Sequence, residues 1–332
     1  MTMYRKPAIV SIEKDRLTKR EKSLLKEEKP WGIILFKRNI KSYSQVRKLT
    51  NDIRKCLRDP LYPILVDEEG GKVSRFSELF NSREFSQKFF GELFEKNNKD
   101  GKMIYEYYLN SICSIFKHVG ININTIPVMD LLQNSTHEII KGRSYSGDKK
   151  TIQSLSQICI DTLKNNKIAS VSKHIPGHGC AAVDSHKKLP IVNDSLKKLY
   201  FNDFLMFKNL NSHFVMTAHV LYKKIDPNFP ATQSKKIIKE IIRGKLKFKG
   251  LIISDDISMK ALSRNLVLNA KLALQSGCNL ILHCSGKFAE SSILLRNLNK
   301  IDKFTEKKNT TILSVFEIIL IYGIKFKQRY IY

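Results

Sequence analysis

Eight short apolar runs rich in β-branched residues recur along the chain, and each is followed by a polar loop and a stretch with helical spacing. The runs cover residues 8–12, 31–36, 62–66, 121–126, 168–171, 214–217, 251–253 and 279–282. β-branched residues favour strands, and strands that alternate with helices pair in parallel through right-handed crossovers. The pattern therefore predicts an α/β protein with eight parallel strands.

Apolar residues at helical spacing lie between these runs. Val46, Leu49, Ile53 and Leu57 recur at intervals of three or four residues, and Ser42 precedes them as an N-cap. This spacing predicts one apolar face of a helix. Three further sets predict similar faces: Ile104, Tyr108, Ile112 and Phe116; Ile152, Leu155, Ile158 and Leu163; and Ile237, Ile238, Ile241 and Ile242.

Eight strand–helix units in about 300 residues fit a (β/α)8 barrel better than an open doubly wound sheet, which usually has about six strands. Polar residues stand at or after the ends of six runs: Asp67, Asp130, Lys173 with His174, His219, Asp255 and His283. In a barrel, these ends converge on the rim where the βα loops build an active site. We predict an α/β, (β/α)8 TIM-type barrel over residues 1–300 as a single catalytic domain, with residues 301–332 packed on it as a C-terminal segment.

Composition and charge change this picture little. Of 332 residues, 42% are hydrophobic, which suffices for a core and excludes a disordered or fibrous protein. The chain carries 58 basic and 31 acidic residues, a formal net charge of +27. The basic residues are scattered through every segment, whereas nucleic-acid-binding residues normally cluster on one face. We therefore interpret the charge as compositional drift.

The sequence also bears on where the protein works. The N-terminus lacks the long apolar region of a signal peptide, and the apolar stretch 312–324 is too short and too interrupted for a spanning helix. Six cysteines occur without any Cys-x-x-Cys pair, which indicates a reducing compartment rather than a disulfide or zinc framework. These features predict a cytoplasmic protein.

The densest polar cluster is the segment KHIPGHG at residues 173–179, which DSH at 184–186 follows. Glycines let the backbone approach a ligand closely and proline stiffens a turn, so this loop is predicted to be functional. Metal binding is the main alternative. It is disfavoured because Lys173 would repel a cation and the spacing matches no zinc signature.

Two further segments place carboxylates at the ends of strands. Asp255 and Asp256 end the seventh run. Because side chains alternate along a strand, only one of them is expected to face the barrel mouth, and helix N-capping by both is the alternative. Residues 66–75, VDEEGGKVSR, suit hydrogen bonds to sugar hydroxyls, or else surface ion pairing. A basic loop, KGRSY at 141–145, follows the fourth run.

The ordered motifs WGIILFKRN, VDEEGGKVSRF, GRSYSGD, KHIPGHG with DSH, and SDDISM resemble those of the family-3 glycoside hydrolases, and within them the single-domain bacterial β-N-acetylhexosaminidases. The resemblance runs from about residue 31 to residue 283. It implies a TIM-type barrel, no metal, no organic cofactor, and a retaining mechanism through a glycosyl-enzyme intermediate. It also implies a cytoplasmic enzyme of peptidoglycan recycling that removes N-acetylglucosamine from 1,6-anhydro-N-acetylmuramic acid and its peptides.

The resemblance implies roles for individual residues. By motif position, Asp255 matches the nucleophile, His186 the acid/base, and Asp184 the carboxylate paired with that histidine. The residues that match the sugar-binding set are Asp67, Arg75, Arg143, Lys173 and His174. The chemistry agrees, because a carboxyl with an ordinary pKa of about 3.9 is ionised at neutral pH, and an imidazole with one of about 6.5 can give and take a proton.

The chain departs from the family at two positions: Glu68 stands where glutamine is common, and Lys72 where arginine is common. We expect a small-molecule sugar substrate, no nucleic-acid or membrane partner, and a monomer. Two alternatives remain. One is phosphorolysis of the same substrates, because a histidine repels an incoming phosphate less than a carboxylate does. The other is a non-catalytic basic scaffold or nucleic-acid-binding protein built on a former enzyme.

Overall fold

The computed structural model describes residues 5–134, 136–181 and 183–312. Its strands are β1 Lys6–Val10, β2 Pro30–Leu35, β3 Ile64–Val66, β4 Ile123–Asn124, β5 Ala169–Ile175, β6 Ile191–Val192, β7 Phe214–Thr217, β8 Leu221–Tyr222, β9 Leu251–Asp256 and β10 Leu280–His283. Its α-helices are α1 Lys19–Glu28, α2 Tyr43–Leu57, α3 Gln87–Lys96, α4 Asn98–Val119, α5 Glu138–Lys141, α6 Lys149–Asn165, α7 Leu196–Asn202, α8 Leu266–Ser276 and α9 Phe288–Arg296. A π-helix covers Ile237–Lys245, and 3₁₀ helices cover Lys37–Asn39, Phe204–Phe207 and Ala231–Gln233.

Eight parallel strands close a barrel in the order β1-β10-β9-β7-β5-β4-β3-β2. Each of the eight predicted runs supplies one barrel strand, so the predicted (β/α)8 barrel is confirmed. The remaining strands, β6 and β8, pair in parallel as a separate two-stranded sheet. They were not predicted, because two residues are too few for a periodic pattern to be visible.

The interior of the barrel is a packed apolar core. Residues that point inward from the strands form one cluster, which includes Ile9, Trp31, Leu65, Val171, Phe214, Ile253 and Leu282. The Trp31 ring meets the Phe214 ring edge-on, with centroids 5.5 Å apart. Alternate residues such as Ala8 and Ile33 belong to the second cluster, which includes the helix faces. Because the interior is filled, a ligand must bind at an end of the barrel.

The helices follow their apolar spacing, with one shift. Helix α2 begins after Ser42, whose hydroxyl accepts the Gln45 N–H at 3.2 Å, and it buries the predicted Ile53 face. In α4, Ile112 and Phe116 of the predicted face are buried, but at the start of the face Tyr105 is buried in place of Ile104, which is 39% exposed. The Tyr105 hydroxyl shares a hydrogen bond of 2.6 Å with Tyr145 inside the core. Such long-range partners decide which of several apolar stripes turns inward.

The end of the described chain closes the N-terminal end of the barrel. Residues 303–312 are helical, and Ile301 and Ile312 belong to the barrel's interior cluster. The Trp31 indole N–H donates to Asn309 Oδ1 at 3.0 Å. Residues 313–332, which hold most of the apolar stretch 312–324, lie outside the described residues, so the boundary predicted at residue 300 stays a prediction. Among the described residues, none forms a helix long and apolar enough to cross a membrane.

Asn309→Ala should destabilise the protein by about 1–3 kcal/mol, because it leaves the buried Trp31 N–H without its acceptor. The free energy of unfolding from urea titration measures the effect. The matched control is Thr310→Ala on the exposed side of the same helix, which should stay within about 0.5 kcal/mol of the unsubstituted protein. Equal stabilities for the two variants would contradict this account of the barrel's closure.

Candidate active site

One cavity lies at the C-terminal end of the barrel strands, and nearly all of the predicted site residues line it. It is lined by Ile34, Phe36, Asp67, Arg75, Thr125, Ile140, Arg143, Lys173, His174, His178, Ser185, His186, Met216, Asp255, Asp256, Met259, Leu282 and Cys284. All of the predicted site residues line it except Asp184, which is buried and bonded to His186. The structure therefore brings together predicted site residues that lie as much as 188 positions apart in the sequence, from Asp67 to Asp255.

Asp67, directly after β3, is the acceptor for three donors. Its Oδ1 accepts from Lys173 Nζ at 2.6 Å and from the Thr125 hydroxyl at 2.7 Å, and its Oδ2 accepts from Arg75 Nη2 at 2.7 Å. Burial alone would raise the pKa of Asp67, but the charges of Lys173, Arg75 and Arg143 outweigh it and hold this pKa well below its usual value. Asp67 is therefore ionised at neutral pH and held by three donors, and Oδ2 can accept one hydrogen bond more.

Glu69, which was not among the predicted site residues, completes this network. Arg143 Nε and Nη2 donate to its two oxygens at 2.7 and 2.8 Å, and Lys173 Nζ lies 2.5 Å from Oε1. Burial would lower the pKa of Arg143, but Glu69 outweighs it and raises this pKa. The Lys173 side chain is only 2% exposed, and Asp67 and Glu69 are the carboxylates paired with it. A signal for Glu69 was present, because it belongs to the VDEEGG motif.

His174, within β5, is fixed by a buried aspartate. Its Nδ1 lies 2.7 Å from Asp130 Oδ2, and its Nε2 lies 3.4 Å from Arg143 Nη2. The Nδ1–H group donates to Asp130, so Nε2 accepts from the arginine. These two partners assign the tautomer of His174 that carries its proton on Nδ1. Burial opposes ionisation of Asp130, yet His174 outweighs it and lowers the pKa of Asp130. Burial also lowers the pKa of the adjacent His178 to about 4, so that imidazole is neutral at pH 7.

Asp255 and Asp256 both line the cavity, although alternation along a strand predicted that only one of them would. The register of β9 against β10 shifts between Ile253 and Asp256, and such an irregularity interrupts alternation. Asp256 is the more engaged of the two: its carboxylate accepts the Ser258 hydroxyl at 2.8 Å and the Cys284 N–H at 3.3 Å. Its carboxylate therefore organises the end of the strand.

Asp255 is less engaged: among the residues that the structure describes, its carboxylate accepts one hydrogen bond, from the Asp256 N–H at 2.7 Å. Burial would raise the pKa of Asp255. The histidines His219 and His174 outweigh burial and hold this pKa below its usual value. The cavity therefore contains an ionised carboxylate whose second oxygen remains open to a ligand.

His186 and Asp184 form a pair on the loop after β5. His186 Nδ1 lies 3.0 Å from Asp184 Oδ1, which also accepts the His186 backbone N–H at 2.8 Å. Burial opposes ionisation of Asp184, but the hydrogen bonds from His186 outweigh it and lower the pKa of Asp184. The His186 side chain is 57% exposed, so its Nε2 can exchange protons with solvent or with a ligand in the cavity.

Glu68, the first departure from the family pattern, supports the site from behind. Its carboxylate accepts the backbone N–H groups of Arg75 and Phe76 at 2.6 and 2.9 Å and the Ser82 hydroxyl at 2.9 Å. An acceptor-only side chain suits three donors. Burial raises the pKa of Glu68, and these hydrogen bonds oppose that rise. Glutamic acid therefore fixes the segment that carries Arg75 toward Asp67.

Comparison with known proteins identifies the class. Residues 5–313 match the family model described as Glycosyl hydrolase family 3 N terminal domain. The chain therefore belongs to glycosyl hydrolase family 3.

Relatives narrow the class further. The chain is 35% identical to a beta-hexosaminidase of Psychromonas ingrahamii over 87% of this chain and 86% of that protein. It is 31% identical to a beta-hexosaminidase of Nitrosospira multiformis over 87% of this chain and 83% of that one. Its fold matches NagZ from Neisseria gonorrhoeae in complex with N-trifluoroacetyl-D-glucosamine, with a TM-score of 0.78 and 26% identity, over 94% of this chain and 98% of that chain. The prediction of a β-N-acetylhexosaminidase, a glycoside hydrolase, is confirmed.

Lys173→Met should destabilise the fold by about 3–5 kcal/mol, because it leaves the carboxylates of Asp67 and Glu69 without the ammonium between them. Urea titration at pH 7 measures the loss. Lys187→Met, at the exposed lysine that follows His186, is the control and should change the free energy of unfolding by less than about 0.5 kcal/mol. A Lys173 variant as stable as this control would show that the buried network does not hold the site together.

Proposed function

We propose that this enzyme is an exo-acting, retaining β-N-acetylhexosaminidase that removes terminal N-acetylglucosamine from peptidoglycan turnover fragments. One observation carries the proposal: an ionised carboxylate, Asp255, and an exposed imidazole with its own carboxylate, His186 with Asp184, belong to one cavity. A glycosidic bond placed between these groups would meet a nucleophile and a proton donor at once.

The ion-paired residues supply the binding site for the terminal sugar. In this proposal Asp67 accepts a hydrogen bond from a hydroxyl, Arg75, Arg143 and Lys173 provide donors around the ring, and His174 presents Nε2 as an acceptor. Their mutual ion pairs fix each group before substrate arrives, so little side-chain freedom is lost on binding. The packed barrel core beneath them closes the cavity, which suits the end of a glycan rather than its middle.

The reaction has two steps. In the first, the Asp255 carboxylate attacks the anomeric carbon while the glycosidic C–O bond breaks, and the protonated His186 gives its Nε2 proton to the departing oxygen. Asp184 holds Nδ1–H and stabilises the imidazolium before this transfer. In the second step, neutral His186 takes a proton from water, whose oxygen displaces Asp255. Two displacements at one carbon retain its configuration.

A histidine acid/base on a loop changes one geometric expectation. Ordinary retaining glycosidases place two carboxyl groups about 5–5.5 Å apart. Here the second carboxyl is replaced by an imidazole that is more than half exposed, so its approach to the glycosidic oxygen can be completed when substrate binds.

Similar proteins and the motif resemblance support the assignment of the substrate and of the cellular compartment. The NagZ neighbour was solved with N-trifluoroacetyl-D-glucosamine, and the curated relatives are beta-hexosaminidases, which supports a 2-acylamino sugar at the closed end of the cavity. The motif resemblance supports peptidoglycan fragments as the source of that sugar. It also supports a cytoplasmic, monomeric enzyme that needs no metal or organic cofactor.

Asp255→Asn should abolish release of a chromogenic N-acetylglucosaminide, because the amide cannot form the glycosyl ester. His186→Ala should lower kcat roughly 10²–10⁴-fold, and added azide should partly restore turnover only in the His186 variant. NMR should show the β-anomer as the first product, and a 5-fluoro sugar probe should label Asp255 by mass spectrometry.

Asp161→Asn, at an exposed aspartate on α6, is the matched control and should keep full activity. Full activity in the Asp255 variant, or an inverted first product, would overturn the mechanism.

N-Acetylglucosaminyl-1,6-anhydro-N-acetylmuramyl peptide should be cleaved with a higher kcat/KM than chitobiose, with products identified by mass spectrometry. Parallel reactions in phosphate and in phosphate-free buffer should give free N-acetylglucosamine at the same rate. Preference for chitobiose would reject the substrate while leaving the enzyme class intact. N-Acetylglucosamine 1-phosphate as product would establish phosphorolysis, which the exposed histidine also permits.

A further inference from the structure

Asp203 is a buried carboxyl residue that the reaction above does not use. It follows α7 directly, precedes the 3₁₀ helix Phe204–Phe207, and is 2% exposed. It lies against residues 177–180, which are called the glycine turn here. The turn belongs to the same loop as Asp184 and His186. The Asp203 carboxyl is therefore connected through this loop to Asp184 and His186, which are called the proton-transfer pair here.

The glycine turn packs directly on the Asp203 side chain. Gly177 has φ +149°, and a Cβ atom built there would lie 2.5 Å from Asp203 Cβ. A Cβ atom on Gly179 would lie 3.1 Å from Asp203 Oδ1, and the backbone N–H of Cys180 is close enough to lower the pKa of the carboxyl group. The missing side chains of the two glycines are thus what allows Asp203 to reach the backbone of the turn.

Gln133 holds Asp203 from the opposite side. Its Nε2 donates to both carboxyl oxygens of Asp203, at 3.0 and 2.9 Å. Three residues later, the Thr136 hydroxyl donates to the Gly179 carbonyl at 2.6 Å. Asp203 therefore joins two segments, the chain around residue 133 and the glycine turn, that meet beside the cavity.

The glycine turn contacts both parts of the cavity, the sugar-binding residues and the pair of Asp184 and His186. The His178 N–H donates to Asp130 Oδ1 at 2.7 Å, and Asp130 also fixes His174. The His178 Nε2 lies 3.4 Å from the Ser185 hydroxyl, and Ser185 stands between Asp184 and His186. A displacement of the turn would therefore move the proton-transfer pair relative to the sugar-binding residues.

We propose that Asp203 is a positioning residue: in its ionised form it anchors the glycine turn through Gln133 and Cys180, and so presents His186 to the cavity. This inference rests on the proposed role of His186. Asp203 touches neither substrate nor the reacting atoms, and it acts through the turn.

The charge of Asp203 changes in the range where such an enzyme works. Burial raises its pKa to about 7, the hydrogen bond from Gln133 opposes that rise, and the carboxylates of Asp130 and Asp194 add to it. The other titratable groups near it are Cys180, Lys198 and Tyr222, whose hydroxyl donates to the Gly177 carbonyl. Ionisation above pH 7 thus strengthens the anchor, because hydrogen bonds to a charged acceptor are stronger than those to a neutral one.

Ionisation of Asp203 strengthens the anchor as pH rises, but it lowers the stability of the fold over the same pH range. The unfolded chain titrates this group near its ordinary pKa of about 3.9, so the folded state binds the extra proton between that value and about 7. Stability therefore falls as pH rises through this window. Asp203→Asn, which stays neutral, should remove that part of the fall while it also removes the ionised anchor.

Asp203→Asn separates the proposal from a merely structural role through its pH profile. At pH 5, where Asp203 is protonated, kcat of the variant should be close to that of the unsubstituted enzyme. At pH 8 it should be about 10-fold lower, because a charge-assisted hydrogen bond is missing. Asp161→Asn, at an exposed aspartate on α6, is the control, and the ratio of its kcat to that of the unsubstituted enzyme should be the same at pH 5 and at pH 8.

Gln133→Leu provides a second variant that leaves the carboxyl in place. Loss of the donor should raise the pKa of Asp203 and shift the corresponding limb of the kcat profile to higher pH, whether or not Asp203→Asn folds well. A ratio for Asp203→Asn that does not change with pH, or an unshifted limb in Gln133→Leu, would overturn the positioning role. Full activity in His186→Ala would instead overturn the proposed function, so the two failures are distinguishable.

Discussion

The buried ion-pair network of Asp67, Lys173, Glu69 and Arg143 is the constraint on which the rest of the site depends. Lys173 is enclosed in the barrel mouth, where an unpaired ammonium would be too costly to bury. Two carboxylates from the segment after β3 therefore have to reach it, and Arg143 follows Glu69 from the loop after β4. One electrostatic requirement thus fixes three neighbouring βα segments relative to one another, and it does so before any sugar is present.

This network explains why the net charge of the chain does not describe its cavity. The protein as a whole carries a formal charge of +27, yet the three cations at the floor of the cavity each lie against a carboxylate. A cation that is paired with a buried carboxylate helps to position the neighbouring side chains, but it adds little to the long-range electric field of the protein. The excess lysines elsewhere are mainly exposed side chains, where salt screens their effect. Compositional drift of the surface is therefore compatible with an intact site.

The sequence predicted what short patterns encode, and it missed what distant contacts decide. The eight strands were visible because each buried run is apolar, and Asp67 or Asp255 was visible because a charge directly follows such a run. Glu69 was missed although it stands two residues from Asp67, since only its pairing with Lys173 shows that it points inward. The Tyr105 face of α4 and the irregularity before Asp256 likewise depend on partners far away in the chain.

The two halves of the cavity meet different physical demands. The sugar-binding half gains from rigidity, because groups held in place lose little freedom when they bind a hydroxyl. The proton-transfer half must reach a leaving group, exchange its proton with water and accept it again, which requires the exposure that His186 has. A loop that is mobile in both backbone and side chain would present the imidazole in too many positions. Anchoring the loop at its buried turn, while its outer residues stay in contact with solvent, satisfies both demands, and a carboxyl group beneath the turn can provide that anchor.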